Sequence, residues 1–239
     1  MGKPDIIYED NDIIVCYKPA GIATQTRRIG QQDMESFIRN YRAAKNEPPY
    51  VGIVHRLDQP VEGVMVFAKN QKAAASLSRQ IKEHTTEKYY RAASRGQGVS
   101  GADKEEDNKE DNHDPAWHTL TDYISFDKRT NTSKITSEKD RQAKKAVLQY
   151  RILSNECNKT EFDIKLLTGR HHQIRLQLAN IGYPLIGDTK YGKPASNNSG
   201  TGSKSERTGG GVREQLALCS YKIVFDHPAT GERMTFELP

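Results

Sequence analysis

The chain has 239 residues, 36 basic against 31 acidic side chains and a formal net charge of +5, enough to bury a real core as one domain and basic enough to favour a polyanionic partner. Seven carboxylates against two lysines between Gly101 and Asp114 carry a net of −5, which leaves the remainder at +10. Three widely spaced cysteines, Cys16, Cys157 and Cys219, argue against a disulfide framework or a thiolate metal site, and no run approaches the ~18 apolar residues of a membrane span, so a reducing cytoplasm is expected.

In chain order, Ile6–Tyr8 and Ile13–Tyr17 are β-branched runs around Asp10-Asn11-Asp12, which predicts a hairpin ending at Lys18-Pro19-Ala20-Gly21. Asp33 is placed to cap a helix to about Ala44, with Met34, Phe37, Ile38 and Tyr41 at helical spacing before Pro48-Pro49. Tyr50–Val54 reads as a strand, and Pro60 biases Gln59 towards extended backbone, so Asp58 is expected on a loop at a strand end. Gly63–Lys69 reads as a buried strand. Asn70 then caps a helix with Ala74, Leu77 and Ile81 on one face and Lys72, Arg79 and Lys82 on the other. Lys88–Ser94 returns as a strand whose Tyr89 and Tyr90 must face opposite sides, with Tyr89 assigned to the core.

Polar, low-complexity stretches near 97–115 and 193–212 are expected to be flexible insertions. Between and after them, strands are predicted over Thr119–Phe126, Ala146–Leu153, Glu161–Leu167, Leu216–Phe225 and Arg233–Leu238. Ile174, Leu178 and Ile181 mark a helix stopped by Gly182. His171 and His172, as neighbours on a helix, would point apart and make a poor metal pair. No nucleotide-binding glycine loop or paired Cys-x-x-Cys is present, and no metal ligand set is assigned.

Two segments carry chemistry. Val54-His55-Arg56-Leu57-Asp58 offers one carboxylate, and Thr168-Gly169-Arg170-His171-His172-Gln173-Ile174-Arg175 answers it with cations. A lone Asp among Arg and His suits a nucleophile acting on an electrophilic carbon beside bound phosphates.

Six ordered motifs resemble those of the RluA family of RNA pseudouridine synthases. They are Lys18-Pro19-Ala20-Gly21, His55–Asp58 with Gly63, Lys88-Tyr89-Tyr90-Arg91-Ala92, Thr168–Arg175, Gly187-Asp188-Thr189-Lys190-Tyr191-Gly192 and His227-Pro228. Val61-Glu62 and Leu218-Cys219-Ser220 depart from the family pattern.

The resemblance implies an α+β fold: a mixed, mainly antiparallel β-sheet with flanking helices and a central catalytic cleft. It implies that Asp58 is the nucleophile, Tyr90 the residue stacking on the base, and Arg175 the partner of Asp58, its fork expected to hold that carboxylate bidentately. Lys18, His55, Arg56, Arg170 and His172 are candidates for RNA contacts, whereas Lys190 and Tyr191 read chiefly as structural.

Breaking the N1–C1′ bond, turning uracil and joining C5 to C1′ is redox-neutral, so no cofactor is expected. The implied substrate is rRNA or tRNA, turned over by a monomer without an obligatory protein partner. Seventeen residues precede Lys18, too few for the S4-type module of longer family members. Two other readings are an RNA-binding module without turnover, and a nucleoside glycosidase, for which Glu62 is the one nearby second carboxylate.

Overall fold

The computed structural model describes residues 3–26, 28, 30–95, 116–192 and 214–239; both expected insertions lie outside them. The first hairpin forms as its sequence dictates. Asp10 Oδ1 accepts the N–H of Asp12 and of Ile13, both at 2.8 Å, and this turn joins β1 (Asp5–Glu9) to β2 (Ile13–Lys18). Helix α1 (Met34–Ala44) begins with a capping box, Asp33 accepting from the Ser36 N–H and Ser36 Oγ from the Asp33 N–H, and buries Met34 and Ile38. Helix α2 (Gln71–Lys82) is capped by Asn70 and buries Ala73 and Leu77.

Between these helices run β3 (Gly52–Ile53) and β4 (Glu62–Ala68). The middle of the chain supplies β5 (Glu87–Ser94), β6 (His118–Asp127), β7 (Thr132–Thr136), β8 (Lys144–Glu156) and β9 (Lys159–Leu166). Helix α3 (Gln173–Asn180) and strands β10 (Leu218–Asp226) and β11 (Arg233–Glu237) follow. Among the described residues eleven strands join one sheet in the order β1-β2-β4-β10-β5-β9-β8-β6-β7, with β11 on β10 and β3 on β4. Every pairing is antiparallel except β10 with β4, so the expected α+β fold with a mixed, mainly antiparallel sheet is observed.

The unbroken apolar run of β4 has a simple cause. One face packs with Ile14, Cys16 and α1, the other with Ile13, Val15 and α2, so Gly63–Ala68 is buried on both sides. At the entry to β4, Gly63 has φ +140°, and a Cβ there would lie 2.3 Å from the carbonyl oxygen of Ser220 on β10. The parallel pairing of these strands therefore depends on a glycine.

Three expectations change. The strand over Tyr50–Val54 contracts to Gly52–Ile53, because the chain then turns into the loop that carries Asp58. β7 was not foreseen; it is a polar edge strand whose one strand partner is β6, and its sequence lacks an apolar alternation. Tyr89 is half-buried among polar groups and not in the core: its hydroxyl donates to Glu87 at 2.6 Å, and the ammonium groups of Lys165 and Lys222 lie near its ring.

Candidate active site

Asp58 lies between β3 and β4, and the segment after β2 fastens the chain on both sides of it. On the preceding side, Thr24 Oγ1 donates to the Leu57 carbonyl at 3.0 Å and accepts the Leu57 N–H at 3.2 Å. On the following side, the Gln59 carbonyl accepts from the Gly21 N–H at 2.8 Å and from Lys18 Nζ at 3.2 Å. Lys18 is fully buried, and its ammonium also donates to the carbonyls of Pro19 and Ile22. Burial lowers its pKa to about 8 despite the opposing pull of Asp58 and Glu62. Lys18 therefore fastens the Asp58 loop from beneath; the expected phosphate contact is corrected, because the ammonium never reaches the cleft surface.

So held, the Asp58 side chain is one third exposed and faces a cavity of about 570 Å³. Its Oδ2 is 3.9 Å from Arg175 Nη1 and 3.6 Å from His172 Nε2. The expected bidentate grip is not there. The fork of Arg175 closes on Asp188, Nε to Oδ2 at 2.8 Å and Nη2 to Oδ1 at 2.7 Å, leaving only Nη1 for Asp58. Burial alone would push the Asp188 carboxyl up, but the Arg175 guanidinium and the N–H groups of Lys190 and Tyr191 outweigh it and hold the acid below its usual range.

His172 takes a left-handed conformation, φ 54°, at the head of α3, so the two histidines are not helical neighbours. Their rings stack with centroids 3.7 Å apart, a correction to the expectation that they diverge. Burial, reinforced by the charges of Arg175, His171 and Lys190, lowers the His172 pKa to about 3, so the ring is neutral. The Tyr191 hydroxyl accepts the Ser133 N–H at 2.8 Å and lies 2.9 Å from His172 Nδ1. Nε2 faces the Asp58 carboxylate, which only accepts, so the one proton of the neutral ring is assigned to Nε2 and the Tyr191 hydroxyl donates to Nδ1. Asp188 and Tyr191, which sequence reading did not assign to the site, thus hold the two groups that meet the carboxylate. The signal was their recurrence in one short Gly-Asp-x-x-Tyr-Gly element; the distances supply their roles.

Tyr90 on β5 lines the cavity and is 5% exposed. Burial pushes its phenol well above the usual range, so the hydroxyl stays protonated, with a hydrogen bond to Ser220. Arg56 is exposed on the cavity wall, and Arg170 lines the same cavity, its Nε donating to the Lys145 carbonyl at 2.9 Å. His55 also lines the cavity, but its Nε2 accepts the Val66 N–H at 3.1 Å, and burial with the charge of Lys88 lowers its pKa to about 3. It is a neutral support for β4 and no cationic phosphate ligand. The structure therefore brings Asp58, Tyr90, Arg175, His172, Arg56 and Arg170 to one cleft, and removes Lys18 from its surface.

Asp58 is the only carboxylate among the cavity-lining residues, against Arg56, Lys82, Lys88, Arg170 and Arg175. Glu62 faces a second hollow and is engaged by the Tyr17 hydroxyl at 2.9 Å and Gln215 Nε2 at 3.1 Å. Among the described residues, one His and carboxylate cluster, Asp10, Asp12 and His227, has metal-like spacing. There His227 Nδ1 accepts the Thr230 N–H, so Nε2 carries the proton it gives to Asp10, and no imidazole lone pair is left for an ion.

The profile of the family described as RNA pseudouridylate synthase matches residues 12–180. The chain is 31% identical over 98% of its length to ribosomal large subunit pseudouridine synthase D of Neisseria meningitidis serogroup B, of which it spans 58%. It is also 31% identical, over its whole length, to an uncharacterized RNA pseudouridine synthase of Bacillus subtilis, of which it spans 69%. Two solved structures share its fold: human RNA pseudouridylate synthase domain containing 4 and domain containing 1. Both give a TM-score of 0.67, at 20% and 23% identity, over 98% and 99% of this chain and 87% and 83% of theirs.

Proposed function

The chain belongs to the RluA family of RNA pseudouridine synthases, and on that premise we propose that it isomerises uridine to pseudouridine in structured RNA, with Asp58 as the nucleophile. The observation that carries this reading is the single carboxylate of a cation-lined cavity, set 3.9 Å from a guanidinium and 3.6 Å from a neutral imidazole. The target base leaves its stack to enter the cleft, at a cost of a few kcal/mol recovered through backbone contacts. Tyr90 packs against the uracil ring and keeps it in place while it turns. The Asp58 carboxylate attacks either C1′ of the ribose or C6 of the ring, or assists removal of the 2′ proton, and in each route Arg175 Nη1 and His172 Nε2–H steady its charge. The uracil stays bound and its C5 joins C1′ as any bond to Asp58 breaks; C5 then gives up its proton and N1, freed from C1′, takes one up, so atoms and electrons balance without an external reagent.

The names of the relatives favour large-subunit ribosomal RNA as substrate, with transfer RNA as the alternative. The glycosidase reading loses its second carboxylate, since Glu62 lies outside the cleft. The test is to map pseudouridine at single-nucleotide resolution in cells lacking the gene, complemented with wild type or Asp58→Asn. At least one site should disappear without the gene, return with wild type, and stay absent with Asp58→Asn. Full restoration by Asp58→Asn would instead establish a binding module without turnover.

A further inference from the structure

Two lysines are buried among the described residues, and both are saturated. Lys18 donates to three carbonyls, and Lys69 pairs with Glu9 at 2.7 Å and Glu47 at 3.0 Å. Lys88 is different. It lies on β5 two residues before Tyr90, hence on the same face and about 7 Å along the strand. It lines the same cavity, and its Nζ approaches Gly169 so closely that a Cβ there would be 3.7 Å away. Yet the side chain is half-buried and has no hydrogen-bond or ion-pair partner among the described residues. Burial lowers its pKa, and its charge helps to keep His55 neutral.

A half-buried ammonium with no anion beside it is less favourable than the paired Lys18 and Lys69. An anion entering the cavity would complete it. Neutral uracil does not meet that requirement, and Tyr90 already accounts for its ring; a phosphodiester does meet it. We propose that Lys88 is a positioning residue that grips the phosphodiester flanking the target uridine, so that the nucleotide is held at its backbone on Lys88 and at its base on Tyr90. This rests on the pseudouridine synthase reading and adds an anchor to it.

The test compares wild type, Lys88→Met, Lys88→Gln and Lys88→Arg, using in vitro transcripts of large-subunit ribosomal RNA and, in parallel, transfer RNA. Lys88→Met matches the stem and removes the unpaired charge, so the free protein should melt a few degrees higher, about 2–4 °C. Its RNA affinity should fall about tenfold at moderate salt, and the slope of log K against log salt should shrink by about 0.7–0.9, the loss of one phosphate contact. Lys88→Gln should follow it, whereas Lys88→Arg should keep the wild-type slope. Single-turnover rates at saturating enzyme should stay within about threefold of wild type, because a backbone grip acts before chemistry.

An unchanged salt slope in both neutral variants, or a loss confined to the saturated rate, overturns the proposal; the latter would place Lys88 on the base. Turnover by wild type with an unchanged slope sinks the anchor alone. A reduced slope in neutral variants of a protein that never makes pseudouridine sinks the reaction and keeps the anchor. Failure of wild type to bind either transcript sinks both.

Discussion

Asp58 owes its surroundings to two residues that never touch it. Asp188 occupies the fork of Arg175, and Tyr191 sets the tautomer of His172. Asp188→Asn would leave a guanidinium that is 4% exposed without its counter-ion, and we expect a loss of about 3–5 kcal/mol in urea unfolding, together with pseudouridine formation. Pairing Arg175→Met with Asp188→Leu should recover most of the stability and none of the activity, which separates the structural share of the pair from its share in the site. Tyr191→Phe removes only the hydroxyl between Ser133 and His172. We expect about 1–2 kcal/mol of destabilisation. The single-turnover rate should fall about tenfold with little change in RNA affinity, because freed Nδ1 and Nε2 exchange the proton that faces Asp58. An undiminished rate in Tyr191→Phe would refute that role. The candidate nucleophile was legible in the sequence because its motif is contiguous. The partner of Arg175 was not, since the fork could have closed on either of two acids and only their placement decides.

At the scale of elements, the helices were the most readable. Asp33 and Asn70 announce their caps, and Met34 with Ile38 the buried face of α1; on α2 the buried face runs through Ala73 and Leu77, turned slightly from the expected Ala74, Leu77 and Ile81. What failed was set by non-local bonds. The strand expected over Tyr50–Val54 shrinks to Gly52–Ile53, since the chain just beyond it is claimed by Thr24, Gly21 and Lys18. α3 begins one residue after His172 because that residue is left-handed, which is why two adjacent histidines stack. β7 pairs with no strand but β6 and is otherwise held through Ser133 to Tyr191 and His171, and five mostly polar residues give no periodic signal.

The junction of β4 and β10 yields a sharp prediction. Gly63→Ala would put a methyl group 2.3 Å from the Ser220 carbonyl oxygen and 2.6 Å from Ser220 Cβ, while forcing an unfavourable φ. The strands would have to part, so we expect a loss of more than about 3 kcal/mol in equilibrium unfolding and impaired activity, since Asp58 is anchored five residues upstream. A variant that melts within a degree of wild type would show that the junction yields easily.

For the whole molecule, the acid limb of stability follows from two neutral histidines. His55 and His172 both titrate at about 3 in the folded protein, against about 6.5 when unfolded. The unfolded chain therefore takes up protons first: this contribution is complete above pH ~6.5 and drains as the pH falls towards 3, at up to about 1.4 kcal/mol per unit for each ring. Depressed carboxylates such as Asp188, and Glu9 at about 2, add their losses only lower, below about pH 4. Urea unfolding at pH 7.5, 6, 5 and 4 should show uptake of nearly two protons on unfolding between pH 6 and 4, reduced by about one in His55→Gln. A flat profile down to pH 5 would contradict the assigned neutral states.

The place of β10 carries one more consequence. Asp58 belongs to a lobe built by β1 to β4 and the first two helices, whereas Tyr90 and Arg175 belong to a lobe built by β5 to β9 and α3; β10 is the strand laid between β4 and β5. A ribosome makes it after every other strand but one. A fragment ending before Leu218 would thus carry Asp58, Tyr90 and Arg175 without the strand that sutures their two lobes.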